Sequence, residues 1–359
     1  MSEETSVTSD CMRIGFYRYS LHNRGGDRMV VDYANYLAAA DHRVTFYLKE
    51  MTTVFTVDPR IEITHVPCRG RLGFLLYPLF RCFGQDLMIV DIIHLVPVLR
   101  LKNRIVYFAQ ADDVEYYDSP LARKIIDAVY RWYYSRKEPI ITVSRYLADV
   151  FSRRYGFDNS LVVTNGIDLA KFFPDPDPDL MRMKEKRKAM LFMARGDHFR
   201  KGYDLAVEVF SRLSRDDGQN LELWVCGQEI PENQYSFPVR NFGVVDDSRL
   251  RQLLSSADIF FYPSRHEGFG LFPLEAMACG CVSVITEAIP YAGFSECLQV
   301  APVGDVEAMH RLIVALLQDH DRLAALHEKT KNDASCFDLQ KSKELFCQTL
   351  EKIYREGRP

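Results

Sequence analysis

The sequence predicts an α/β protein made of two parallel-sheet domains. Three observations carry that reading: short apolar runs that do not alternate with polar residues, amphipathic stretches between them, and one proline- and charge-rich break after which the same pattern restarts. A strand covered by helices on both faces needs apolar side chains on both, so its sequence loses the two-residue rhythm of a half-exposed strand. The length of 359 residues suits two domains of roughly 150 residues each.

An acidic, polar stretch opens the chain, and residues 1–12 are expected to form a flexible tail. Residues 13–17 (RIGFY) read as the first strand. A loop carrying Gly25 and Gly26 follows, then an amphipathic helix over about residues 27–40. The run VTFYL is the next strand, and DLMIVDIIHL, RIVYFA, PIITVS and LVVTN come after it, with helical stretches between most of them. These make a first domain over residues 13–170. Residues 171–187 contain PDPDPD and a charged run, and alternating prolines cannot continue a helix or a central strand, so a linker is expected there. The alternation then resumes with AMLFMA, a helix from Gly202, LELWVCG, a helix near Ser248, DIFFYPS, a helix from Phe272 and CVSVIT, giving a second domain over residues 188–336. In such sheets ligands bind outside the carboxyl ends of the strands, and with two facing domains that places the site in the cleft.

Composition excludes several classes. With 47% hydrophobic and 26% charged residues the chain has the apolar surface to offset the entropy of ordering, so it is not disordered. A net charge of −4 argues against a basic nucleic-acid binder. No uncharged apolar run approaches the ~18 residues of a spanning helix, and MSEETSVTSD does not read as a secretory leader. The charge is uneven: residues 11–170 hold 21 basic and 17 acidic residues, so the front half is mildly basic and the back half mildly acidic. Nine cysteines include no CxxC pair, and Cys279-Gly280-Cys281 sits in an apolar run as small buried residues. That usage fits a reducing cytoplasm.

The richest segment, PSRHEGFGLFPLEAMACG (263–280), follows the strand DIFFY and so occupies a strand-to-helix turn. Pro273 suits the first turn of a helix, where its missing N–H costs nothing, and Gly280 suits the C-terminal cap. Gly268 and Gly270 let a backbone approach a ligand closely, and the free amides at the helix start form an anion site. Glu267 lies before the helix and Glu275 on its first turns, where a carboxylate can accept bonds from sugar hydroxyls, as an acidic residue does for ribose in dinucleotide folds. The alternative reading of the segment taken alone is a glycine-rich turn with a capping glutamate. A second segment, MARGDHFRKG (193–202), places Arg195 and Lys201 around a strand-to-helix loop, the bidentate fork and point charge expected around a diphosphate, or else a solvated basic loop. A third, VVTNGID (162–168), ends a strand in a polar turn ahead of Phe173-Pro174 and means little by itself.

Together TNGIDLAKFFP, ARGDHFRKG and EGFGLFPLEAMACG resemble, in order and spacing, the motifs of retaining glycosyltransferase family 4, and the resemblance spans most of the chain. It implies the GT-B fold, two Rossmann-like parallel-sheet domains facing across a cleft, with residues 337–359 returning to the first domain. It implies that Arg195 and Lys201 neutralise the diphosphate of a nucleotide sugar, that Glu267 orients the donor sugar, and that Glu275 binds the ribose. Backbone amides around Gly268, Phe269, Gly270 and Leu271 would face sugar or phosphates, and the Gly25-Gly26 loop would approach the phosphates from the first domain. No metal and no cofactor is implied, the nucleotide sugar being a co-substrate. Retention would run through an oxocarbenium-like transition state with the departing diphosphate taking the acceptor's proton, so no protein nucleophile is named. Asp175, Asp177 and Asp179 mimic a DxD metal motif but read as solvated linker residues, and Asp258 reads as structural.

One departure stands out. Many relatives carry a histidine after a first-domain strand, facing the donor sugar. Here the stretch is YFAQADDVEY, without histidine, and Gln110 and Asp112 become the candidates for the sugar or acceptor side. A solvated loop is the alternative, and His94 reads as a satisfied structural histidine. The expected partners are a nucleotide-sugar donor and a glycan or lipid-linked acceptor, in polysaccharide or glycolipid synthesis, and no nucleic acid. Residues 68–84 and 121–137 are basic, apolar and aromatic, which suits an anionic membrane surface as well as core helices with solvated cations. The expected location is cytoplasmic, with peripheral contact at the inner face of the membrane. A GT-B sugar-nucleotide epimerase and a catalytically silent nucleotide-sugar-binding subunit are the competing readings. A dehydrogenase is disfavoured because no GxGxxG follows the first strand.

Overall fold

The computed structural model describes residues 11–184, 187–194, 199–216 and 220–357. It divides into two compact units, one of residues up to Asn165 together with those from Lys341, the other Gly166–Gln340.

The first unit contains β1 (Arg13–Leu21), α1 (Gly25–Ala39), β2 (Arg43–Met51), β3 (Glu62–His65), α2 (Gly70–Leu76), β4 (Leu87–Val90), α3 (Val96–Leu99), β5 (Ile105–Ala109), α4 (Pro120–Ser135), β6 (Ile140–Thr142), α5 (Arg145–Tyr155) and β7 (Leu161–Val162). The second contains α6 (Pro178–Met183), β8 (Lys188–Ala194), α7 (Tyr203–Asp216), β9 (Leu221–Gly227), β10 (Val239–Gly243), α8 (Asp247–Ser256), β11 (Ile259–Tyr262), α9 (Leu271–Ala278), β12 (Val282–Thr286), β13 (Leu298–Ala301), α10 (Val306–Gln318) and α11 (His320–Ala334). α12 (Leu339–Glu356) ends the chain. Both sheets are parallel, in the orders β3-β2-β1-β4-β5-β6-β7 and β10-β9-β8-β11-β12-β13. β4, β5 and β11 are buried at every residue, the physical counterpart of their unbroken apolar sequences.

Several expectations need correction. Gly25 and Gly26 do not form a loop but open α1, whose first-turn Asp27 is buried against Arg18. The run DLMIVDIIHL is a four-residue strand that ends before Asp91. The expected linker over residues 171–187 is, at its described residues 171–184 and 187, part of the second unit, where Asp177 caps α6 through the amides of Asp179 and Leu180, and Leu180 is buried. Aspartate followed by proline is a helix-start signal, cap then first helical residue, and that is how PDPD acts here. Asp177 also pairs with Arg249 at 2.6 Å and Asp175 with Arg251 at 2.9 Å; Asp179 pairs with Arg182 but stays 77% exposed at its side chain, and it alone of the three is the largely solvated residue expected.

α12 lies in the first unit over its residues from Lys341. Phe346 stacks on Tyr33 at 4.3 Å and meets Phe108 edge-on, and Arg104 donates to the Ile353 and Tyr354 carbonyls at the helix end. Beside them His42, Cys347 and Glu351 converge within metal-binding distance of one another. Their hydrogen bonding argues for a clasp instead. His42 Nδ1 accepts the Met12 amide at 3.3 Å, which leaves the proton of the neutral ring on Nε2, facing Cys347 at 3.6 Å and Glu351 at 3.9 Å. A metal-ligating Nε2 needs the opposite tautomer.

Asp113 is the outlier of the first unit. Its carboxyl is fully buried, accepts the Ile93 amide at 2.7 Å, and is pushed up to about 8 by desolvation, with Asp91 and Asp112 adding to the effect. In the unfolded chain it ionises near 4. Between these values the folded state holds the extra proton, so stability is fully present below about pH 4 and is lost as pH rises toward 8. Asp113→Asn, neutral at every pH, is expected to flatten that slope by a few kcal/mol between pH 5 and 8. Thermal midpoints of both proteins across this range check it, and parallel curves would contradict it.

Candidate functional site

In the second sheet the chain winds outward from β8 to β9 and β10, then crosses to β11 on the other side of β8 and winds outward again to β12 and β13. β8 and β11 are therefore neighbours at the point where the winding reverses, with Phe192 opposite Phe261. The connections that leave their carboxyl ends diverge, and a crevice results. Both segments singled out in the second half of the sequence sit there: Lys201 follows β8, and Glu267 follows β11.

The two turns are held against each other. Gly202 has φ +69°, and a Cβ at that position would lie 1.9 Å from the Pro263 carbonyl oxygen, so only glycine fits. The Arg265 amide donates to the Arg200 carbonyl at 2.8 Å. The Arg265 guanidinium forks onto Asp204, at 2.6 Å to each oxygen, and lies over the Phe199 ring. A bidentate fork fixes orientation as well as distance.

This clamping brings Lys201 onto Glu267. Nζ lies 2.6 Å from Oε1, the Tyr262 hydroxyl donates to the same oxygen at 2.7 Å, and the Ser264 hydroxyl reaches it at 2.9 Å. The glutamate side chain is only 9% exposed and the lysine 24%. Three donors on one oxygen orient the carboxylate and leave Oε2 without a hydrogen bond among the described residues. A largely buried carboxylate aimed through one oxygen keeps the other free to accept from hydroxyl groups, and the cation beside it attracts an anion.

Gly270 caps α9 with φ +84°, and a Cβ there would crowd Ile289. Pro273 falls in the first turn, and Gly280 follows the last with φ +91°, as the pattern predicts. Tyr291 donates to the Gly270 carbonyl. Burial, with the charges of Glu267 and Glu275 adding to it, holds its phenol far above the ordinary tyrosine range, so it stays a donor. Glu275 is itself buried in the first turns of α9. Phe269 packs its ring on Tyr291 at 5.2 Å and near Phe337, so its side chain belongs to the core, and Gly268 and Leu271 flank the turn half-buried. Arg195 lies outside the described residues.

Residues 181–333 match the family described as Glycosyl transferases group 1, and residues 23–171 match that described as Glycosyltransferase Family 4. The chain belongs to glycosyltransferase family 4. Among curated relatives, this family 4 chain is 29% identical over 174 residues to mannosylfructose-phosphate synthase of Agrobacterium fabrum, covering 43% of this chain and 38% of that one. It is 33% identical over 152 residues to phosphatidyl-myo-inositol mannosyltransferase of Propionibacterium freudenreichii, covering 41% and 37%. The matches thus span well under half the length of these relatives. Among solved structures, sucrose-phosphate synthase from Thermosynechococcus elongatus superposes with a TM-score of 0.78 at 17% identity, covering 96% of this chain and 99% of that one, which shows a shared fold.

The first unit of this family 4 protein repeats the topological reversal, between β1 and β4. Arg18 pairs there with Asp27 at 2.5 Å and with Asp91 at 3.1 Å, and Gln110 donates to Asp91 at 3.0 Å. Gly26 lies against Gln110, whose Oε1 would be 2.9 Å from any Cβ. Gly25, Gly26 and Gln110 thus come together. Asp112 does not join them as an open group: its carboxylate is buried, accepts the Val114 amide and pairs with Arg154 at 2.8 Å, which makes it a scaffold residue. His94 is bonded to Tyr117, and Asp258 to Lys184 and Lys188, both structural as expected. All nine cysteines are free thiols, and burial pushes Cys279 up to about 12. Sequence reasoning passed over Tyr262, Ser264 and Tyr291. The first two flank Pro263 within the motif and were open to notice as polar groups at a strand end. Nothing local to Tyr291 points to Gly270.

Proposed function

We propose that the protein is a retaining glycosyltransferase that moves a hexosyl group from a nucleotide-sugar donor to a glycan or lipid-linked acceptor, in cell-surface polysaccharide or glycolipid synthesis at the cytoplasmic side. The observation that carries this reading is the Lys201–Glu267 contact at the topological reversal of the second sheet, beside the amino end of α9. Relatives named for mannosyl products support a hexosyl donor.

In this reading Lys201, with Arg195 as the family resemblance implies, faces the donor diphosphate. Glu267, fixed through Oε1 by Tyr262 and Ser264, accepts from sugar hydroxyls through Oε2. Glu275 serves the ribose. As the anomeric C–O bond breaks, negative charge grows on the diphosphate, and cations and helix-start amides already in place stabilise it without reorganising. The acceptor hydroxyl attacks from the face that the diphosphate leaves and passes its proton to a diphosphate oxygen, so configuration is kept and no metal is required. Gln110, Gly25 and Gly26 belong to the acceptor-side unit.

A thermal-shift panel of UDP-, GDP-, dTDP- and ADP-sugars tests this. One nucleotide class is expected to stabilise the protein, by about 2.7 kcal/mol at a hundredfold excess over its dissociation constant. No shift with any of them overturns the reading.

A further inference from the structure

Residues 68–84 and 121–137 are basic and apolar, and the structure sorts their apolar residues into two sets. Phe74 is buried under Tyr17, Phe83 packs on Tyr17 and Tyr47, and Ile126, Tyr130, Tyr133 and Tyr134 are in the core. Left outside are Leu72 (68% exposed) and Leu76 on α2, Leu79 in the single turn Tyr77–Leu79 and Phe80 (83%) just after it, with Leu121 (69%) and Ile125 on the first turns of α4. Arg69, Arg71, Arg81, Lys102, Arg123 and Lys124 are exposed around them, and the chain carries no acid between Glu62 and Asp86. Around the start of α4 the nearest acids in sequence are Asp118, just before it, and Asp127, which pairs with Arg131 and Arg154.

The two segments are linked through Tyr117. Lys102 donates to the Leu79 carbonyl at 2.6 Å. At the other end of α2, the charge of Arg71 acts on both His94 and Tyr117. Tyr117 bonds His94 at 3.1 Å, and its carbonyl accepts from Arg123 in the first turn of α4 at 2.5 Å. Leucine and phenylalanine tips thus lie among cations on two linked segments, which together make a basic, apolar strip of surface.

We propose that this strip docks the protein on a bilayer surface rich in anionic phospholipid. Apolar tips enter the boundary of the acyl chains while the long cationic side chains extend to the phosphates. A second copy of the chain fits less well, because two such faces in contact would set arginines and lysines opposite one another in excess over the nearby acids Glu50, Glu115 and Asp118. The inference extends the proposed function by placing a lipid-linked acceptor at the bilayer, and it shares no residue with the donor site.

Sedimentation with vesicles of phosphatidylcholine alone, and of phosphatidylcholine with phosphatidylglycerol in equal parts, is the test. Binding is expected only to the second and is expected to fall with salt. Arg69→Ala with Arg81→Ala should weaken it roughly fivefold per cation removed. Phe80→Ser with Leu72→Ser should weaken it about tenfold or more. Equal binding to both vesicles, no binding, binding unchanged by Phe80→Ser with Leu72→Ser, or a dimer that this pair dissolves would each overturn the proposal. The nucleotide-sugar shift of each variant reports whether it folds and binds donor. Vesicle binding lost with that shift retained assigns the loss to this face. Vesicle binding without any nucleotide-sugar shift in the wild type leaves this proposal standing and removes the donor reading.

Discussion

Lys201→Gln is expected to lower turnover roughly 100- to 1000-fold, the loss seen when one preorganised electrostatic group is removed from developing charge. Glutamine keeps a donor for Glu267 and loses the cation, so the substitution isolates charge from hydrogen bonding. Oε1 of Glu267 retains its bonds to Tyr262 and Ser264 in either case, so the carboxylate stays oriented. The measurement is hydrolysis of the stabilising nucleotide sugar in the absence of acceptor, with the thermal midpoint recorded alongside. A fall in turnover with little change in midpoint supports the role at the diphosphate. Unchanged turnover would remove Lys201 from the reaction and reduce its contact with Glu267 to a structural ion pair.

The second large effect is expected at Gly202. Alanine there meets two penalties, a left-handed backbone at φ +69° and a Cβ 1.9 Å from the Pro263 carbonyl. The first costs about 1–2 kcal/mol and the second about 1–3, so a loss of about 2–5 kcal/mol is expected. Gly304 supplies the control, with φ +82° and open space around it, so that Gly304→Ala carries the backbone penalty alone. Any relief of the clash separates the two turns that carry Lys201 and Glu267, so Gly202→Ala should also weaken nucleotide binding, whereas Gly304→Ala should not. Equal destabilisation by the two substitutions in a thermal melt would show that the approach of the turns is not the constraint.

The α/β class was legible because fully covered strands announce themselves: the runs at β4, β5 and β11 are apolar at every position. The turn after β11 was legible for a local reason too, since Pro273, Gly270 and Gly280 each serve one backbone position of α9. The errors arose where a local signal had two meanings. Two glycines before an amphipathic run can be a loop or the first turn of a helix, and Gly25 and Gly26 are the latter, pressed against Gln110. Proline alternating with aspartate can be an extended linker or a capped helix start, and Asp177 decides for the cap. An aspartate in a polar stretch can face a ligand or a neighbouring arginine, and Asp112 faces Arg154.

By itself the sequence determined the covered parallel sheets, the glycine and proline positions of the site turn, and the family, because each depends on residues within a few positions of one another. Only the tertiary structure decided what surrounds Glu267. Lys201 reaches it because β8 and β11 are neighbours in the sheet, although two helices and two further strands separate them along the chain. The same holds for Tyr291, which arrives from beyond β12 to fix Gly270, and for Phe80 and Leu121, left outside while Phe74 and Tyr130 fill the core. Periodicity specifies which face of an element is apolar. Strand order specifies which elements meet, and it is settled by packing over distances that no local pattern records.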